Sequence, residues 1–228
     1  MFYYRDATYI LVVIGVIITM IASARVKGTF KKYSKTYNVM GYTAEQVAKM
    51  ILDSAGITDV RIEKVRGNLT DHYAPTQKVL RLSDSVYGQK SVAAIGVAAH
   101  ECGHAIQHQV GYAPINLRSV SVPLANIGSY LSWPVVVLGI VLEKVNLIHL
   151  GILLFLFVVF FELITLPVEF NASHRAIKIL EERNILSNEE LPGAKKVLKS
   201  AAMTYVAALL SSLLQLLRLV LIANRRRD

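Results

Sequence analysis

The chain is short of several things, and each shortage closes off a class of protein. It has a single cysteine, Cys102, in 228 residues. No intramolecular disulfide can form, so a disulfide-stapled scaffold is excluded. Acidic residues are scarce, 16 Asp+Glu against 25 Lys+Arg, which leaves a formal net charge of +9. Such an excess invites a nucleic-acid reading, but no basic stripe with interleaved aromatics is present, and the Lys/Arg clusters flank apolar segments instead. Charge of either sign is sparse: 18% of residues are charged and 54% are hydrophobic, with a mean hydropathy of +0.44. That is too apolar for a soluble domain of this size and points to a membrane protein.

The apolar residues are gathered into runs. The first, Tyr9 to Ala24, lacks the basic leader of a signal peptide and reads as a membrane anchor over residues 1–24, with Tyr4 and Tyr9 at the interface. Arg25, Lys27, Lys31, Lys32 and Lys35 follow it, which puts the N-terminus outside and the next segment in the cytoplasm. Val122 to Leu142 and Leu147 to Leu166, joined by a polar turn, form a transmembrane hairpin over 122–166. A fourth run, Ala201 to Ala223, precedes Arg225, Arg226 and Arg227 in a C-terminal segment, 201–228. Four full spans would carry those arginines outside, against the positive-inside rule. Either the rule is locally broken, or the last helix is re-entrant or lies along the interface. Lys195, Lys196 and Lys199 join the first basic cluster in favouring a cytoplasmic face for the segments between.

Residues 25–121 have a globular composition. Thr43 to Gln46 reads as a capping box opening a helix up to Gly56. Val60 and Ile62, then Asp71 to Ala74 ended by Pro75, then Lys78 to Ser83 alternate or bound like three short strands. An edge strand of such a sheet either pairs with an extended peptide or stays solvated. Ser91 is placed to cap a further helix that ends near Gly111.

That helix carries His100-Glu101-Cys102-Gly103-His104. His100 and His104 are i and i+4, one turn apart on one face, so both rings can address one ion. Glu101 projects beside that face, where it can reach a water without binding the metal. This is the zinc-hydrolase signature His-Glu-x-x-His, whose Glu serves as general base. An ordinary apolar helix would have to bury two His and a Glu for no return. Cys102 falls at a free position and packs as a small hydrophobe.

A catalytic zinc takes three protein ligands and one open position. His108 cannot be the third. Residues at i, i+4 and i+8 form a line about 12 Å long and cannot close around one ion. The metzincin pattern fails too, because Gln107 and Val110 stand where it needs Gly and His. Glu162, inside the third apolar run, is either a functional acid or one solvated near the interface. Glu169 lies just past the hairpin, on a helix that with the segment following it makes up 167–200, and Pro167 is expected to kink or end the span before it. The hairpin returns the chain to the side of the motif helix, so Glu169 is the expected third ligand. Ser173 shares its face, and Asn171 and His174 lie near enough to supply hydrogen bonds.

The His100 to His108 string, the membrane hairpin and the string from Glu169 to Ala176 together resemble the bacterial membrane neutral zinc metallopeptidases, the YugP-like family. The chain is more distantly similar to the HtpX-type and CAAX prenyl gluzincin proteases. In those, an Asp four residues after the Glu ligand supports a zinc-binding His; Ser173 stands there in this chain and brings no charge. The resemblance implies a mostly α membrane protein in which a gluzincin-like α+β zinc domain with a small sheet is combined with about four transmembrane helices. It implies one zinc per chain on His100, His104 and Glu169, with Glu101 as base and His174 or a Tyr as oxyanion donor. The expected partners are a peptide or membrane-protein substrate and the lipid bilayer, with no nucleic acid. The expected place is the cell membrane, with the site facing the cytoplasm. An inactive zinc scaffold is the first alternative, against which Glu101 argues. A transporter subunit, suggested by Glu162 and Arg218 in apolar runs, is the second.

Overall fold

The computed structural model describes residues 7–225, so Tyr4, Arg226 and Arg227 lie outside the described residues. The elements in chain order are α1 (Tyr9–Tyr33), α2 (Ala44–Ser54), β1 (Arg61–Val65), β2 (His72–Ala74), β3 (Val79–Ser83), α3 (Val92–Gln109), α4 (Ala113–Val141), α5 (Val145–Glu182) and α6 (Leu191–Arg225). The protein is mostly helical, with one small sheet. Among the described residues, α1, α4, α5 and α6 are the helices long and apolar enough to cross a membrane.

Three of these helices outrun their apolar segments. Helix α1 continues past Ala24 and carries Arg25, Lys27, Lys31 and Lys32 on its last turns. Helix α6 starts at Leu191 rather than at Ala201. Its start is set by a reciprocal cap: the Ser187 N–H donates to Glu190 Oε2 at 2.8 Å, and the Glu190 N–H donates to Ser187 Oγ at 3.3 Å. Of the two expectations for Pro167, a kink or an end, helix α5 excludes the end: the proline lies inside the helix, which runs on to Glu182. Pro167 removes one N–H donor, a cost of about 3 kcal/mol in an ordinary helix interior. Beyond it Val168, Ala172, Ala176 and Leu180 recur every four residues, all fully buried. That apolar stripe holds the helix together where the single lost hydrogen bond would not break it.

The chain divides into two compact units. One comprises the described residues up to Ser23, Leu117–Leu166, and α6 from Thr204. Its core is Val136, Ile148, Phe155, Leu219 and Ala223. Small residues let its helices approach closely, as where Gly139 lies against Ile148 of the hairpin's second arm.

The other unit comprises Ala24–Asn116 and Pro167–Met203. Its sheet has the order β1-β3-β2, with β1 parallel and β2 antiparallel to β3. The central strand is the apolar one: Val79, Leu80 and Leu82 are fully buried. Helix α2 contributes Val47, Ile51 and Leu52 to the same core, together with Ile95 and Cys102 of α3 and Leu180 of α5. The Thr43 N–H donates to Gln46 Oε1 at 2.9 Å at the start of α2. Helix α3 opens on Ser91, whose Oγ accepts from the Ala94 N–H at 3.2 Å. It is followed by Gly111 at φ +63°, a left-handed residue that turns the chain toward α4. Cys102 is buried, and its thiol points at the Ala48 carbonyl 3.6 Å away. Burial pushes that thiol well above its ordinary pKa, so it behaves as a small apolar side chain.

Candidate metal centre

Helix α3 places His100 and His104 one turn apart, their rings edge to face with centroids 4.7 Å apart. Helix α5 brings Glu169 against them. Glu169 Oε2 lies 3.2 Å from His100 Nε2 and 3.6 Å from His104 Nε2. One ligand atom from each residue falls within a sphere where all lie within 4.8 Å of one another. The approach depends on Gly103, the motif residue just before His104. A Cβ at Gly103 would sit 2.6 Å from the Ala172 carbonyl oxygen of α5, so only glycine admits this separation.

The outer nitrogens of the two rings are held from behind. Ser173 Oγ lies 3.1 Å from His100 Nδ1, so the serine fills with a neutral hydroxyl the place where the resemblance leads one to expect an acid. His104 Nδ1 lies 3.0 Å from Gln107 Oε1. The orientation of Gln107 is not arbitrary. Its Nε2 donates to the Val168 carbonyl at 2.8 Å and to Asn171 Oδ1 at 3.0 Å, and Arg175 Nε donates to that same Asn171 oxygen at 2.7 Å. The Gln107 oxygen must therefore face His104 and accept its Nδ1 proton. The Ser173 hydroxyl, which can donate or accept, holds the His100 ring at Nδ1. The Nε2 lone pair of His104 then faces the carboxylate.

The two ring nitrogens and the carboxylate oxygen face one another at a spacing that a single ion could bridge. Burial alone would raise the pKa of Glu169, which is 2% exposed. The His100 and His104 rings outweigh burial and hold its carboxyl well below the usual carboxylate range. The His104 ring shifts the other way. Burial would lower it, but Glu169 and the charge on Glu101 raise it. The donor set is two imidazoles and one carboxylate, with each outer nitrogen anchored. It fits a zinc ion in composition and in its supporting hydrogen bonds.

Glu101 is 8% exposed, on α3 next to His100. His108 turns away from the centre and packs against the Tyr73 ring of β2, centroids 5.7 Å apart. Glu162 is not among the clustered ligand atoms. His174, expected to donate a hydrogen bond in catalysis, shares the exposed face of α5 with Phe170 and Lys178. No described hydrogen bond joins it to the three ligating residues. Asn171 is in place as expected, acting through Gln107. Gln107 itself escaped the sequence reading, where it counted only as a mismatch to the metzincin pattern. The signal was there: a fourth polar residue, three positions after His104, on a helix whose buried positions are otherwise mostly small or apolar.

Fold and site together define a membrane protein in which two half-buried histidines and one buried carboxylate could hold a metal ion. The chain matches the family described as "Putative neutral zinc metallopeptidase" over residues 8–224, and it belongs to that family. It is 50% identical over 207 residues to the "Putative membrane protease YugP" of Bacillus subtilis (strain 168), covering 91% of this chain and 92% of that one. No solved structure matches.

Proposed function

We propose that the protein is a membrane-bound zinc metalloendopeptidase of the gluzincin type, with one zinc per chain and its site on the cytoplasmic side. His100, His104 and Glu169 would hold the ion. Zinc, when bound there, lowers the pKa of a water toward about 7 and polarises a peptide carbonyl. Glu101 takes the proton from the attacking water and delivers it to the leaving amine. Gln107 keeps the His104 ring in the tautomer that presents Nε2, Ser173 holds the His100 ring in place, and the Asn171–Arg175 pair keeps Gln107 in place. The substrate is a peptide or a membrane protein.

The observation that carries this reading is the presence of an acid that is not needed to hold metal. Three ligand atoms already converge, and Glu101 sits beside them with no described hydrogen bond or ion pair of its own. A purely structural centre has no use for a second buried carboxyl group. Glu101→Gln separates the two cases. Zinc content of the purified protein should stay at the wild-type level, while hydrolysis of an unfolded protein substrate falls by about a hundredfold or more. Wild-type cleavage by the variant would refute the mechanism even with zinc present.

A further inference from the structure

The two basic clusters that flank the membrane runs come together in space. A cavity of about 760 Å³ opens between α1 and α6, lined by Arg25, Gly28, Lys32 and Tyr33 from one and by Lys196 and Lys199 from the other. On α1 the lining positions follow one helical stripe, with Arg25 and Lys32 two turns apart; Lys196 and Lys199 lie on adjacent turns of α6. No Asp or Glu lines the cavity. None of the described ion pairs involves these four cations. All four are exposed, and cations of one sign around one hollow raise the local concentration of anions there.

Depth decides which anion. The uncharged run of α1 ends at Ala24, one residue before the cavity begins, and that of α6 starts at Ala201, just after Lys199. Both walls therefore change from charged to apolar at the cavity. That change marks the headgroup level of a bilayer, where a phosphate lies in reach of the cations and acyl chains lie against the apolar turns. Gly28 leaves the wall bare: a Cβ there would meet nothing within 4 Å, so a larger side chain would project into the space.

We infer that this cavity binds the phosphodiester headgroup of an anionic phospholipid. The full chain, purified in a neutral detergent and stripped of lipid, is titrated with phosphatidylglycerol and with phosphatidylcholine, and retained lipid is measured by native mass spectrometry. One phosphatidylglycerol should be retained in preference to phosphatidylcholine. The double variant Lys196→Gln/Lys199→Gln should weaken retention roughly tenfold or more. Gly28→Phe should do so without changing any charge, by filling the cavity. The control Lys31→Gln/Lys35→Gln removes the same charge outside the lining and should leave retention unchanged. Equal loss in that control would mean diffuse attraction and overturn the site. Displacement of the lipid by millimolar inorganic phosphate would reassign it to a free anion. Retention unaffected by both cavity variants would refute it outright.

Discussion

Gly103→Ala tests the coupling between the motif helix and α5 at a single methyl group. Its Cβ would lie 2.6 Å from the Ala172 oxygen, a contact that has to open to at least 3.0 Å. The obstacle is backbone, so no side chain can swing aside, and α3 and α5 must part. Overpacking of this kind costs about 1–3 kcal/mol, but exchanging Gly for Ala in a helix interior returns about 1 kcal/mol. The net effect on stability is small, about 0–2 kcal/mol. The effect on the metal is not. His100 and His104 ride on one helix and Glu169 on the other, and zinc ligand distances tolerate only about 0.2 Å. Zinc affinity measured by chelator competition should fall about tenfold or more, while the melting temperature of the metal-free protein moves little. Gly96→Ala is the control on the same helix. Its Cβ would meet the Ala194 Cβ at 3.4 Å, an ordinary contact, so zinc affinity should be unchanged. Wild-type zinc affinity in Gly103→Ala would refute the argument that this close approach sets the geometry of the centre.

Glu169→Gln should weaken zinc binding about tenfold or more and abolish cleavage, whereas Glu162→Gln should leave zinc bound at equal free-zinc concentration; the reverse pattern would reassign the third ligand. Gln107→Leu preserves bulk but leaves His104 Nδ1 without its acceptor, so zinc affinity should drop about 10- to 100-fold in a chain that still folds; unchanged affinity in the competition assay would show that the glutamine does not orient the ring. For orientation, single cysteines at Lys35 and Lys195 in a Cys102→Ser background should react with a membrane-impermeant thiol reagent only after cells are permeabilised. Labelling of both in intact cells would put the site on the outer face.

What could be read from the chain alone was what depends on near neighbours. The spacing of His100 and His104 places two rings on one face wherever a helix forms, because 3.6 residues per turn is a local property. The apolar runs announced four membrane helices, and alternation announced three strands, since burial of one face imprints a period on the sequence. The same locality explains the misplaced boundaries. Pro167 is a helix breaker by propensity, and only packing of the Val168 to Leu180 stripe overrules it. The start of α6 lay in a Ser187–Glu190 cap that is short and easily passed over. What the tertiary structure decided is everything that joins distant segments. Glu169 meets a histidine 69 residues away, and sequence could name it a candidate without supplying the contact. Gln107 turns its oxygen toward His104 because Val168 and Asn171 claim its nitrogen, a choice made by atoms on another helix. Gly103 is an indifferent residue until Ala172 stands 2.6 Å from where its side chain would be. Lys32 and Lys199 lie at opposite ends of the chain, and only the meeting of α1 with α6 makes them two walls of one cavity. Periodicity records which face of an element is buried; it carries no record of which partner buries it.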